Sequence, residues 1–480
     1  MKKIVSIILI GLLVFLVWQN PVCSPMGENM NGLVKDDVIH IWYTDEALAS
    51  YLDNASISYY SQTGVHVQPV LVSGLGYLEK IHEETLHGAN VPDLYIIGNE
   101  SLETAVLSGL ATPLKDSRHI LNTSSFPQVS LDAVSYGGDY VGYPLCFETS
   151  VFLYNKTYLE AIAGREAERI AKEAASESAN QEGSETSEDE AENESEKLSP
   201  EDITPEKILP RSYVGILEFA NSYDPPEGME VFLKWDVTDI MYNYGFAGAY
   251  MDLGGSTGDD RGRLDLYNTN AMYALSIFQD FNQFFSIEAK EITYDSVIDE
   301  FIQGKVMFTF ANTAVIEKLE RAKEDGSLAF EYGIAPLEML NTTLQARNLS
   351  VTDTVVVNGY GEQRELAEDF AAYLSSEYVT NLYARSGKMC AYKSVEYEYP
   401  QMAAVKDCYE MSVPIPKLVE SGNYWVLAEL CYTNIWEGED VNRSLLALAQ
   451  KINGQILGDE ATELTSLPTP EVVESYISSE

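Results

Sequence analysis

The chain has 480 residues, 45% of them hydrophobic and 22% charged, which is enough for two or three ordinary domains with sizeable cores and too apolar for a mainly disordered protein. Its formal charge of -45 excludes a nucleic-acid partner, because such binding draws most of its affinity from Lys and Arg set against phosphates. The same acidity says little about a neutral ligand and serves solubility at a crowded cell surface.

Lys2 and Lys3 precede an apolar run over residues 4–18 that ends at Asn20 and Pro21, the layout of an export signal. The run is shorter than the roughly 20 residues of a transmembrane helix, and an uncleaved signal anchor fits the same pattern. Cys23 stands where a lipoprotein carries its acylated cysteine and is the candidate lipid anchor, although Asn20, Pro21 and Val22 replace the residues usual before such a site. Cys146, Cys390, Cys408 and Cys431 permit disulfides outside the cell without requiring them, and Cys390 with Cys408 is the first choice of pair.

A strand is predicted at 38–43, then a helix at 46–62 with Leu48, Tyr51, Leu52, Ala55 and Tyr59 at helical spacing and Gly64 as its stop. Val65, Val67 and residues 70–72 form a second strand, 75–86 a helix, 93–97 a third strand and 100–108 a helix ended by Gly109. Short connections between alternating strands and helices favour a parallel α/β sheet with right-handed crossovers. Residues 140–154 are strand-like again, interrupted by Pro144, Glu148 and Thr149, and mark the chain leaving one lobe for another.

Residues 176–196 hold nine acidic side chains and no basic one, so they read as a disordered insertion within a lobe. An apolar helix is predicted at 270–285, strands at 306–310 and 332–335, and helices at 366–375, 377–384, 424–435 and 441–456. The tail after Gly458 is acidic and reads as loose. No repeat of solenoid length is present.

Catalytic motifs fare poorly. Residues 254–258 (GGSTG) satisfy G-x-S-x-G, but Asp259, Asp260 and Arg261 follow where a nucleophile elbow needs a helix, so a polar loop is expected. His82 and His87 are five apart and face different sides of a helix, and no phosphate-cradling glycine loop is present, which leaves metal and nucleotide chemistry unsupported. A secreted glycoside hydrolase is the enzymatic alternative, since two opposed carboxylates suffice and 75 acidic residues are available.

Several local patterns, in order, resemble the extracellular solute-binding proteins that serve sugar ABC importers. The opening strand ends in Trp42, a helix follows, and Thr63-Gly64-Val65 is similar to the family's next strand start. Pro92-Asp93 and the segment 107–114 (LSGLATPL) match its following elements. Gly142-Tyr143-Pro144 with Leu153-Tyr154-Asn155-Lys156 is the most specific match, at the crossing between lobes. Residues 210–220, 297–310 and 370–393 continue the likeness, with Tyr213 in place of a tryptophan and Cys390 in place of a proline.

The resemblance implies a two-lobed periplasmic-binding-protein fold, α/β with hinge crossings and a helix-rich C-terminal part, closing on a ligand without breaking a bond in it. The expected division is a signal or anchor and spacer at 1–36; lobe 1 at 37–145, with 311–378 returning to it; lobe 2 at 146–310, with 385–460 returning to it and a disordered insertion at 165–202; and a loose tail at 461–480. The resemblance implies no cofactor, no metal and no catalytic residue. The partners implied are a small-molecule sugar and the transmembrane subunits of an ABC permease, for a monomer tethered by its N-terminus on the outer face of the cytoplasmic membrane. A membrane sensor in place of the permease is an alternative.

A pyranose needs aromatic planes for its C–H faces and carboxylates or amides for its hydroxyls, and this chain has 31 Tyr and 5 Trp. Candidates at strand ends are Trp42, Tyr43, Thr44, Ser73, Gly74, Asn99, Phe147, Glu148, Thr149, Asn312 and Thr313. The family pattern adds Trp235, Asp236 and Asp239, with Trp425 and Trp436 behind them. Glu148 leads the polar group because it interrupts an apolar segment, where an unpaired carboxylate is costly. Polyamines, drawn by the acidity, are the alternative ligand.

Overall fold

The computed structural model describes residues 38–88, 91–181, 199–200 and 203–470. The export signal and Cys23 lie outside the described residues. Among the described residues, ten strands form one mixed sheet: β1 (Val38–Tyr43), β2 (His66–Leu71), β3 (Leu94–Gly98), β4 (Tyr143–Asn155), β5 (Val231–Leu233), β6 (Val306–Asn312), β7 (Tyr332–Ala335), β8 (Leu349–Val357), β9 (Met389–Cys390) and β10 (Val413–Pro414). The order is β2-β1-β3-β8-β4-β6-β5, with β7 and β9 also on β4 and β10 on β8.

β1 and β3 are parallel, as expected of the opening units, with Ile41 opposite Leu94. β8 runs antiparallel to β3 (Val356 opposite Tyr95) and to β4 (Val351 opposite Glu148), so the sheet is mixed. The 13-residue β4 is its spine. Its first half pairs with β8 and β9, while its second half pairs with β6 (Asn312 opposite Ser150) and β7 (Ile334 opposite Leu153). Pro144 brings no N–H to the ladder, and the register of β8 shifts opposite it, between Asp353 and Thr354. Gly142 is required just before: a Cβ there would lie 2.2 Å from Thr354 Cγ2.

Each helix predicted from the sequence is matched by one within a few residues, and the helices at 128–133, 156–181, 213–222, 240–243, 294–302, 315–324 and 401–410 are additional to that prediction. Besides a single turn at Pro205–Ile208, the helices among the described residues are α1 (Ala49–Thr63), α2 (Tyr77–His87), α3 (Leu102–Leu107), α4 (Gln128–Ala133), α5 (Lys156–Gln181), α6 (Tyr213–Ser222), α7 (Ile240–Asn243), α8 (Thr269–Phe285), α9 (Tyr294–Ile302), α10 (Val315–Glu324), α11 (Arg364–Ser375), α12 (Leu382–Ser386), α13 (Gln401–Glu410), α14 (Tyr424–Trp436) and α15 (Val441–Leu457). Gly64 closes α1 in the left-handed conformation, φ 76°, with its N–H donated to Tyr60 O. Two large cores result. One gathers Tyr51, Tyr59, Phe370 and Tyr373 around β1, α1 and α11. The other packs Trp235, Phe246, Phe278, Phe281 and Trp436 among α8, α14 and α15.

Three expectations need correction. Residues 165–181 are not loop but the continuation of α5, where Arg169 pairs with Glu166 and Glu173 at three and four residues' spacing and alanines favour the helix. Residues 182–198 and 201–202 lie outside the described residues. The tail is not loose over 461–470: Leu464 and Leu467 pack on the second core, and Asn442 donates to Leu467 O at 2.8 Å while Leu467 N–H donates to Tyr267 OH at 2.9 Å. Cys390 and Cys408 are not bonded to each other. All four described cysteines are buried free thiols, and Cys390 Sγ instead lies 3.0 Å from Tyr397 OH.

Candidate functional site

The sheet's central strands bring polar groups together where β4 passes from one core to the other. Glu148, at mid-strand, accepts the Thr313 backbone N–H at 2.5 Å and its hydroxyl at 2.6 Å, because β6 ends one residue earlier at Asn312. Beside it, Asp353 of β8 accepts from the Cys146 thiol at 3.2 Å, and Lys388 reaches Asp353 at 4.0 Å and Asp45 at 2.6 Å. Asp45 also caps the short helical turn after β1 by accepting Ala47 N–H.

Burial raises the Glu148 carboxyl above its ordinary value, while the two Thr313 donors and the Lys388 charge pull the other way. Burial raises Asp353 as well, against the Lys388 charge. Glu100, after β3, is open to solvent yet flanked by enough protein that desolvation raises it, with the Asp353 charge adding to the effect. Burial works to lower the Lys388 ammonium, but Cys146, Asp45 and Asp353 outweigh it and hold it above the usual lysine range.

A second group faces these from the other core's side. Tyr242 of α7 and Tyr294 of α9 stack with centroids 5.3 Å apart and planes 4° from parallel. Tyr294 is fixed at both ends: its N–H donates to Asp236 at 2.9 Å and its hydroxyl to Asn312 at 3.0 Å. Asp239 caps α7 by accepting Met241 N–H at 2.8 Å. Desolvation raises Asp239, and it raises Glu429 of α14 with help from the Asp239 and Asp236 charges. Tyr294 donates to Asn312 and the next residue, Thr313, donates to Glu148, which joins the two groups into one cluster. The set can accept hydroxyl protons on carboxylates and offer the edge and face of a half-exposed tyrosine. Among the described residues, no group of three or more His, Cys, Asp or Glu is arranged to hold a metal.

Residues 58–407 match the family model described as bacterial extracellular solute-binding protein. The chain belongs to that family. This solute-binding protein is 24% identical over 394 residues to the maltodextrin-binding protein MdxE of Bacillus subtilis (strain 168), covering 80% of this chain and 82% of that one. It superposes on a cyclo/maltodextrin-binding protein complexed with maltotetraose at TM-score 0.67, with 18% identity, over 88% of this chain and 97% of the other. The extracellular solute-binding protein from Staphylococcus aureus in complex with maltose gives TM-score 0.68 and 16% identity, over 89% and 100%. These two likenesses carry the two-lobed α/β fold, as expected.

Of the residues singled out in sequence, the solute-binding protein's cluster contains Glu148, Asp236, Asp239, Asn312 and Thr313. Trp235 is fully buried, donating its indole N–H to Asn243 at 2.8 Å and meeting Trp436 edge-on at 5.3 Å. Trp42 is buried beneath Lys80, whose ammonium lies 5.5 Å from its ring, and Tyr43 is buried in the first core. Phe147 stacks on Tyr409 at 3.8 Å, and Thr149 donates to Leu349 O. Asn99 is buried as a tie between crossing segments, accepting Thr352 N–H at 2.8 Å and donating to Ile415 O at 2.9 Å. Thr44, Ser73 and Gly74 are exposed at strand ends, with Gly74 beside Thr44. Trp425 is half-buried against Tyr244 and Tyr424, and Trp436 donates to Ile287 O within the core.

The residues that sequence reasoning missed are Asp45, Glu100, Tyr242, Tyr294, Asp353, Lys388 and Glu429. Asp353 carried one usable signal, a carboxylate inside the β-branched run VTDTVVV.

The 254–258 loop is the expected polar loop, closing the hairpin of Asp252–Leu253 and Leu264–Asp265. It docks against the first core's side: Arg261 donates to Glu103 of α3 at 2.9 Å and to Glu420, and Gly137 N–H donates to Asp259 at 2.7 Å. Lys417 is buried behind it, donating to the backbone carbonyls of Asp132, at 2.8 Å, and Thr257.

Proposed function

We propose that this protein captures a carbohydrate of the oligosaccharide class between its lobes and delivers it, unaltered, to the transmembrane subunits of an ABC importer. The observation that carries the reading is the cluster astride β4. Glu100, Glu148, Asp353, Asp236, Asp239 and Glu429 supply hydroxyl acceptors, and Tyr294, backed by Tyr242, supplies an aromatic surface. The maltodextrin- and maltose-binding relatives support a glucan ligand.

The strand pairing suggests how the lobes divide. β6 and β7 stay with the second half of β4, and the chain returns across β8 and again at β10. On this proposal one lobe comprises 38–149 and 350–412 and the other 150–349 and 413–457, with Asn99 tying the crossings, which moves 311–349 and 385–412 out of the lobes expected from the sequence. The N-terminal segment provides the tether, through Cys23 or as an uncleaved anchor, and the protein acts as a monomer.

A thermal-shift screen of the chain from Ile39 onward tests this against malto-oligosaccharides, other oligosaccharides, amino acids and polyamines. A ligand at 100 times its Kd adds about 2.7 kcal/mol of stability. Stabilisation by oligosaccharides supports the reading. Stabilisation by polyamines alone, or recovery of shortened sugar, overturns it.

A further inference from the structure

Two of the buried cysteines are direct neighbours across a ladder. Cys390 of β9 stands opposite Cys146 of β4, and the adjacent pair carries the ladder bond, Ala391 N–H donating to Leu145 O at 3.1 Å. Antiparallel pairing alternates hydrogen-bonded and non-hydrogen-bonded positions, so Cys146 and Cys390 form a non-hydrogen-bonded pair, the type whose Cα atoms sit about 4.5 Å apart and whose side chains come closest. Cys390 N–H accordingly leaves the ladder and donates to Tyr397 OH at 3.1 Å. Opposed residues project from the same face of a sheet. Both thiols are buried.

A disulfide requires Cα atoms about 4.4–6.8 Å apart and Cβ atoms about 3.5–4.5 Å apart, a separation that this class of pair reaches with little strand movement. The family is extracellular, and disulfides persist outside the cytoplasm. We propose that Cys146 and Cys390, which are thiols in this structure with Cys146 donating to Asp353, are joined by a cross-strand disulfide in the oxidised, exported protein, leaving Asp353 to Lys388, while Cys408 on α13 and Cys431 on α14 remain thiols.

Forming the bond removes two protons and two electrons from the pair. The electrons reduce a disulfide of the oxidising compartment, carried by an oxidoreductase or a small molecule, which departs as two thiols. Because both sulfurs are buried, exchange takes place before β9 closes on β4, and the finished bond resists external thiols. The bond anchors β9 covalently to the crossing strand. It thereby fixes the segment that carries Lys388, one residue upstream of β9, beside Asp45 and Asp353.

Peptide mapping of the secreted full chain, alkylated under denaturing conditions without reductant, is the test. A linked peptide pair containing Cys146 and Cys390 is expected, with Cys408 and Cys431 alkylated and the intact mass lower by two hydrogen atoms. Cys146→Ser should expose the Cys390 thiol to alkylation, whereas Cys408→Ser should leave the linked pair intact. Alkylation of both Cys146 and Cys390 in the wild-type protein, before and after refolding in a glutathione redox buffer, overturns the proposal. So does a link between Cys390 and Cys408. The wild-type mapping decides the matter even if a serine variant fails to fold.

Discussion

Glu148 and Thr313 are joined twice, the carboxylate Oε1 accepting both the backbone N–H, at 2.5 Å, and the hydroxyl, at 2.6 Å. The pair ties the middle of β4 to the chain just past β6, at the point where the two cores meet. Hydrogen bonds to a charged group contribute about 1.5–3 kcal/mol, so Glu148→Gln should lower stability by about that amount and weaken ligand binding by at least about tenfold. Denaturant melts and titration calorimetry on the same preparation check both. Unchanged affinity would remove Glu148 from the site and leave it a hinge brace.

Tyr294 is held by three separate contacts, to Asp236, Asn312 and Tyr242, which is more than a surface ring needs. If its ring is a ligand surface, Tyr294→Phe should keep most of the affinity and Tyr294→Ala should lose about 0.5–1.5 kcal/mol or more, the usual worth of an aromatic contact. Equal losses in the two variants would point to the hydroxyl alone.

Trp235 separates packing from binding. It is fully buried among Phe246, Phe281, Phe310 and Trp436, and its N–H is already used by Asn243. Trp235→Ala should cost about 3–5 kcal/mol of stability through lost burial and a cavity. The fraction that remains folded should bind ligand normally, as read from calorimetric Kd corrected for active protein.

Lys417 gives a pH signature. Burial pulls its ammonium down to about 8, against the ordinary 10.5, while Asp259 and Asp132 pull upward. Between those two values the unfolded chain holds more protons than the folded one, so stability should rise with pH across that window. The cost is fully present below about 8 and amounts to on the order of 3 kcal/mol at 1.36 kcal/mol per unit. Lys417→Met should abolish this rise, as measured by urea unfolding on either side of the window. A variant with the same pH dependence as the wild type would assign the rise to another group.

Much of the fold was legible because its elements announce themselves locally. β1 is found at its predicted bounds, α8 at 269–285 lies within one residue of its predicted start, and the Gly64 stop is where the glycine required it. β8 was not read as a strand, since Thr352, Asp353 and Thr354 break its apolar pattern, yet it is the strand that couples β3 to β4. Its polar side chains are tolerated because Tyr409 pairs with the Thr352 hydroxyl and Cys146 and Lys388 with Asp353, partners from distant parts of the chain that no local window reveals.

The site was legible in part for the same reason. Glu148 stood out as a charge in an apolar run, whereas Trp42 and Trp235 looked like ligand platforms only because aromatic content does not say which face a ring presents. Tyr242 and Tyr294 lie 52 residues apart and meet only through α7 and α9. Lys388 gains its meaning from Asp45, at the far end of the sequence.

The central claim is that the carboxylate and tyrosine cluster receives an intact oligosaccharide. Isothermal titration with maltotetraose, followed by chromatography of the recovered sugar, tests it most directly. The account predicts saturable binding at one site per chain, weakened in Glu148→Gln and Tyr294→Ala, with the sugar recovered at its original length. No heat of binding to any malto-oligosaccharide, or binding unaffected by both substitutions, would contradict it.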